Sequence, residues 1–79
     1  MKAKVTVRLK NGVLDPQGQA VLNAAHSLGF KEIQDVKLGK TFFLEMEGTD
    51  RARAKETLKE LSDKLLANTV IENFEIELL

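Results

Sequence analysis

Side chains able to attack an electrophile, carry a proton or hold a metal are scarce in this sequence. Cysteine is absent and there is one histidine, His26. The only serines, Ser27 and Ser62, fall inside helical patterns and are expected to be buried there. Nucleophilic catalysis needs such a group beside a base, and no triad can be assembled from this inventory. His26 has no companion ligands at usable spacing for a metal, so it reads as a surface or boundary histidine near a helix end. The carboxylates mostly occupy alternating strand or helix faces, the pattern of a solvated surface rather than of a general acid/base pair.

What remains is backbone chemistry and docking, concentrated in Lys10, Asn11, Gly12, Val13, Leu14, Asp15, Pro16, Gln17 and Gly18. Asp15-Pro16 is a helix start: the carboxylate caps free N–H groups, and proline suits the first helical position, where no N–H is needed. Gly18 works against that start, because glycine in a helix costs about 1 kcal/mol relative to alanine. Backbone that must stay bare or be closely approached is the reason to keep it. Gly12 and Gly18 also bracket a helix N-terminus that suits an anion, but Asp15 already fills that position and no phosphate-binding fingerprint is present. Gly39-Lys40 reads either as a plain turn or as a contact for an anion or a partner carboxylate.

The elements that must position these residues follow from periodicity. Val5, Val7 and Leu9 alternate with Lys4, Thr6, Arg8 and Lys10, the signature of a half-buried strand over about Lys2 to Lys10. Val21, Leu22, Ala24, Ala25 and Leu28 recur at helical spacing, and Gly29 sits where a left-handed cap belongs, giving a helix over about Pro16 to Leu28. A second helix starts near Thr49 or Asp50, with Ala54, Leu58, Leu61 and Leu65 as its apolar stripe and Glu60–Lys64 as a solvent-side pair. Phe74, Ile76 and Leu78 alternate with Glu75 and Glu77 in a final strand.

Between the helices, Val36, Leu38, Phe42, Leu44 and Met46 share one register across Gly39. A two-residue turn there would flip the later residues to the opposite face. Two arrangements keep the phase: a hairpin with a three-residue loop, Gly39 to Thr41, or one long strand bent at Gly39. The order therefore predicts an α+β two-layer sandwich, an antiparallel sheet of three to four strands with two helices on one face, ferredoxin-like in outline (β-α-β(β)-α-β). The first strand then lies between the last one and the one carrying Phe42 to Met46. Its outward Lys4, Arg8 and Lys10 face Glu45, Glu47, Glu75 and Glu77. Phe43 points outward on the same phase, which marks it for contact with another chain.

At 79 residues the sequence predicts a single domain spanning 1–79, too small for an ATP site and a separate substrate site. Without disulfides or a metal to reinforce so small a core, oligomerisation is the expected extra source of stability. Twelve basic and twelve acidic residues cancel, which disfavours nucleic acid and anionic membranes as partners. An open sheet that bound RNA would show aromatics on its central strand, where this one has Lys4, Thr6 and Arg8. Met1 leads into a charged, alternating segment, so neither a secretory signal nor a membrane span is expected, and a cytoplasmic location is.

Four blocks stand out along the chain: Lys10 to Gly18, Leu28-Gly29, Val36-Lys37-Leu38-Gly39-Lys40, and Leu65-Leu66-Ala67-Asn68-Thr69-Val70-Ile71-Glu72. Together they resemble the PurS family, the small subunit of phosphoribosylformylglycinamidine synthase. The resemblance covers essentially the whole chain, in order. It departs at Thr69, where the family usually has proline, a difference that bears on the rigidity of that turn.

The resemblance implies a noncatalytic subunit in purine biosynthesis. A glutaminase subunit releases ammonia, and a large synthetase subunit uses ATP and Mg to activate formylglycinamide ribonucleotide, which ammonia converts to the amidine. The small subunit, a homodimer or tetramer with no cofactor of its own, bridges the two. The expected contact residues are Lys10 to Pro16, Gly18, Gly39, Lys40 and Phe43. The absence of cysteine agrees that this chain is not a glutaminase of that type. A second reading is a small-molecule-sensing regulatory domain of the ACT type, which Asp15-Pro16-Gln17-Gly18 faintly resembles. A free-standing enzyme would have to be built around His26.

Overall fold

A computed structural model describes residues 1–79 and shows the order β1 (Lys2–Leu9), α1 (Pro16–Ser27), β2 (Gly39–Glu45), α2 (Arg51–Leu61) and β3 (Glu72–Leu78). The sheet is antiparallel with β1 in the centre, β2-β1-β3, as the alternation required. Val5 lies opposite both Phe42 and Ile76, and Val7 opposite Phe74, so the inward residues of the three strands meet on one face. Ala3, Val5, Val7, Leu58 and Ala67 form the core, with Phe42, Leu44, Met46, Leu66, Phe74, Ile76 and Leu78 packed against it. The opposite face carries exposed ion pairs Lys2–Glu45 (3.9 Å), Lys4–Glu77 (3.1 Å) and Arg8–Glu75 (3.6 Å). Such solvated pairs favour this register more than they stabilise the chain.

The class is the expected one, and the sheet has three strands, the lower of the two expected counts. No hairpin forms at Gly39 to Thr41: β2 begins at Gly39, and residues 33–38 lead into it without a strand partner. Nor does one long strand run through Gly39, because the ladder to β1 starts at that residue. Gly39 and Lys40 therefore open a strand and do not form a turn.

The two helices play different parts. Asp50 caps α2 by accepting from the Arg53 N–H at 3.1 Å, and Ala54 and Leu58 are buried against the sheet. Leu65, expected to continue the stripe, is 73% exposed, while Ser62 and Leu66 turn inward. The cause is a π-helical turn over Ser62–Leu66, closed by the Ala67 N–H donating to the Ser62 carbonyl at 2.9 Å. Inward residues at 54, 58, 62 and 66 recur every four positions, slower than the 3.6 of an α-helix, and one underwound turn restores their alignment. Glu60 and Lys64 pair on the solvent side; the bond lowers the Glu60 pKa and raises that of Lys64.

The Ser62 hydroxyl is completely buried and has no hydrogen-bond partner. A buried unsatisfied hydroxyl carries a desolvation cost that a methyl group does not. Ser62→Ala is therefore expected to raise stability by about 1 kcal/mol in urea denaturation. A loss of similar size would show that the hydroxyl has a partner in solution.

Helix α1 ends as its sequence indicated. Gly29 adopts φ +97°, its N–H donates to the His26 carbonyl at 3.0 Å, and the Phe30 N–H donates to the Ala25 carbonyl at 2.9 Å, a Schellman cap. Yet no α1 residue belongs to the core cluster. Leu22 is buried, whereas Val21 and Leu28 are exposed, so the apolar face of this helix is largely uncovered within one chain. The molecule is accordingly elongated, 49 × 24 × 15 Å.

Candidate functional site

The loop between β1 and α1 is held at both ends. The Lys10 N–H donates to the Ile71 carbonyl at 2.8 Å, tying the loop to the turn before β3. That turn is closed around Asn68, whose side chain accepts from the Val70 N–H while Glu72 accepts from the Asn68 N–H, so it is fixed without a proline at position 69. A tight turn follows over Lys10–Val13, in which Gly12 supplies φ +83°. Lys37 then reaches back to the Val13 carbonyl at 2.9 Å, and Leu14 projects outward, 79% exposed.

Asp15 is buried and uses both carboxylate oxygens. One caps α1, accepting from the Gly18 N–H at 2.9 Å; the other accepts from the Leu38 N–H at 2.8 Å. The same carboxylate thus closes the helix start and fastens the strand lead-in to it. The Leu38 N–H, then the Gly18 N–H, hold its pKa below the ordinary carboxylate value, with smaller help from the Gln17 N–H and the Lys37 charge and against a desolvation cost.

Gly18 is buried and closely approached, the second of the two reasons inferred from sequence for a glycine there. A Cβ built there would lie 2.1 Å from the Val36 carbonyl oxygen, far inside van der Waals contact. Gly39 is similar: its Cβ would stand 2.9 Å from the Val7 carbonyl oxygen across the ladder. The loop of residues 10–18, Gly39 and Lys40 therefore meet at one end of the sheet. Phe43, although 75% exposed as expected, lies roughly 13 Å further along β2, where it is opposite Lys4. It belongs to a separate patch.

Of the residues weighed for chemistry, His26 is half-buried and its Nε2 lies 2.7 Å from the Ile33 carbonyl, pinning the segment after α1. Ser27, expected to be buried, is exposed because its side of α1 faces solvent, and its hydroxyl donates to the Asn23 carbonyl. Sequence reasoning missed Val36, Lys37 and Leu38 as the partners of the loop. The one available signal was that Asp15 has a second carboxylate oxygen that helix capping does not use.

The fold and this junction define a small α+β protein whose distinctive region is a fastened backbone loop at one end of a three-stranded sheet. The family model described as PurS, phosphoribosylformylglycinamidine (FGAM) synthase, matches residues 2–79, and the chain belongs to that family. It is 51% identical over 96% of its length to the phosphoribosylformylglycinamidine synthase subunit PurS of Bacillus subtilis, covering 89% of that protein, and 41% identical to the Methanocaldococcus jannaschii subunit, over 96% of this chain and 92% of that protein. Among solved structures, Bacillus subtilis PurS superposes with TM-score 0.86 at 51% identity, covering 96% of this chain and 94% of that one. A chain of Thermotoga maritima PurLQS superposes with TM-score 0.88 at 28% identity, covering 99% and 95%. The ACT-type alternative gains no support from these relatives.

Proposed function

We propose that this chain is the noncatalytic small subunit of a cytoplasmic phosphoribosylformylglycinamidine synthase, acting as one domain over residues 1–79. As a homodimer or tetramer, it joins a glutaminase subunit to the ATP- and Mg-dependent synthetase subunit, so that ammonia from glutamine converts formylglycinamide ribonucleotide to the amidine. Membership of the PurS family over residues 2–79 carries this reading. The relatives named above are subunits of that synthase, and one solved relative comes from a PurLQS assembly.

The physics of the single chain supports a role in assembly. Its accessible surface is 6007 Å², against roughly 4,800 Å² for a compact monomer of this mass. Its radius of gyration is 16.0 Å, against about 12 Å for a compact domain of this length. Exposed Val21, Leu28 and Phe30 at α1 add apolar surface of the kind that another chain covers. The loop of residues 10–18 with Gly39 and Lys40 is the contact region we assign to the larger subunits, and Phe43 marks a second one.

Reconstitution tests the reading. Glutamine-dependent turnover by the glutaminase and synthetase subunits is expected to fall to background when this chain is omitted and to return on adding it. Free ammonia bypasses the requirement. Glutamine-dependent turnover unaffected by omission overturns the assignment.

A further inference from the structure

Four asparagines occur in the chain, and the fold treats one of them differently. Asn23 lies in the middle of α1 and accepts from the Gln19 side chain at 3.2 Å. Asn68 closes the turn before β3 by accepting from the Val70 N–H, and Asn73 sits inside β3 ahead of Phe74. Asn11 belongs to neither a helix nor a strand, is exposed, and is followed by Gly12. No hydrogen bond engages its side chain. The Gly12 N–H is unpaired as well; what spans the two residues is the Val13 N–H donating to the Lys10 carbonyl at 3.3 Å. A side chain on the residue after an asparagine crowds any approach to the backbone nitrogen between them. Gly12 has none, and even a Cβ added there would meet nothing within 4 Å. Glycine also leaves the backbone free to rotate as a ring closes.

From this geometry we infer that Asn11-Gly12 is a self-modification site. The Gly12 backbone nitrogen attacks Cγ of Asn11. The new Cγ–N bond forms as the Cγ–Nδ2 bond breaks, and the side-chain nitrogen leaves as ammonia, taking up the amide proton through water. The product is a cyclic succinimide. Water then opens the ring at one carbonyl or the other, giving aspartate with the original main chain or isoaspartate with the main chain routed through the side chain. Both steps need water alone. Either product puts a carboxylate between Lys10 and Gly12 where a neutral amide stood, and isoaspartate also lengthens the turn by a methylene. The site is a property of the chain's own surface and stands apart from the bridging role. Its consequence for the complex does rest on that role, because the loop of residues 10–18 is the assigned contact region.

Incubation of the intact chain in mildly alkaline buffer, followed by tandem mass spectrometry, tests the inference. The mass gain of amide-to-acid conversion is expected to accumulate at Asn11 about tenfold or more faster than at Asn23, Asn68 or Asn73, each of which must first open its helix, turn or strand. Two isomeric products are expected, with isoaspartate identified by enzymatic methyl transfer to its carboxylate. In urea the other three asparagines speed up while Asn11 changes by no more than a few-fold, which separates the folded geometry from the bare dipeptide. Asn11 that stays amidated in the folded chain, or that converts no faster than the other three, overturns the inference; Asn11 that speeds up on unfolding as they do is protected by the fold and overturns it equally. In reconstitution the incubated chain is expected to support less glutamine-dependent turnover than the fresh one. Asn11→Gln, whose longer side chain would need a larger and slower-closing ring, is expected to keep the turnover of its own fresh sample. Full conversion without loss of turnover leaves the site standing and overturns the contact role assigned to the loop.

Discussion

Gly18→Ala is expected to destabilise the chain by about 2 kcal/mol or more, a cost in the range of forced overpacking. The same change in an exposed helix interior stabilises by about 1 kcal/mol, so the sign itself is diagnostic. The obstacle is the Val36 carbonyl oxygen, 2.1 Å from where the new methyl group would sit. A flexible side chain would swing aside, but this atom is backbone, and its segment is fastened two residues on by the Leu38 N–H to Asp15. Relief requires lifting residues 36–38 away from the first turn of α1. That movement loosens the bond from Leu38 and disturbs the lead into β2, whose pairing with β1 begins at Gly39. Urea denaturation followed by far-ultraviolet circular dichroism measures the loss. A neutral or stabilised Gly18→Ala would mean that Val36 does not rest on the helix in solution. In reconstitution the variant is also expected to support less glutamine-dependent turnover, because the loop it deforms is the assigned contact region.

Gly18 also shows how far the sequence could be read. Its conflict with the Asp15-Pro16 helix start was visible in nine consecutive residues, since both signals are local. The atom that approaches it was not, because Val36 lies across a stretch of chain with no ladder to fix its position. Strands β1 and β3 and their order were legible for the same local reason: alternation with opposite outward charges admits few pairings. Leu65 was misplaced because the apolar pattern of α2 is completed by a serine, Ser62, which a hydrophobic stripe does not count. What covers the face of α1 was not legible. Helical spacing of Val21, Leu22 and Leu28 says that a face is meant to be covered, and says nothing about whether its own sheet covers it. His26 has no companion ligands at usable spacing and cysteine is missing, so no triad could be assembled from the sequence, and the glycine-bearing loop of residues 10–18 carried the strongest local signal.

Asp15→Asn is expected to produce the largest pH-dependent effect. The carboxylate accepts two backbone N–H bonds in the folded chain, so its folded pKa lies below the unfolded value of about 3.9. A depressed carboxylate contributes stability that is fully present above the unfolded value and is lost as pH falls through the folded one. Asparagine resembles the protonated acid in shape but presents one acceptor oxygen and an NH₂ donor, so one of the two N–H groups faces a donor and goes unpaired. At pH 7 the variant is therefore expected to melt at lower temperature than wild type. The gap should persist down to the unfolded value and close below it, where the wild-type carboxyl itself becomes neutral. Thermal melts of both proteins across this range measure the gap. The difference curve isolates Asp15 from Glu60, whose pKa is also lowered but which titrates alike in both proteins. A gap that stays constant into strong acid would show that the Asp15 carboxylate does not carry the junction between α1 and the lead-in to β2. A gap that closes would locate an acid-labile fastening inside the loop assigned to partner contact. Glutamine-dependent turnover by the reconstituted complex should then fall in the Asp15→Asn variant at neutral pH, while its oligomeric state is retained.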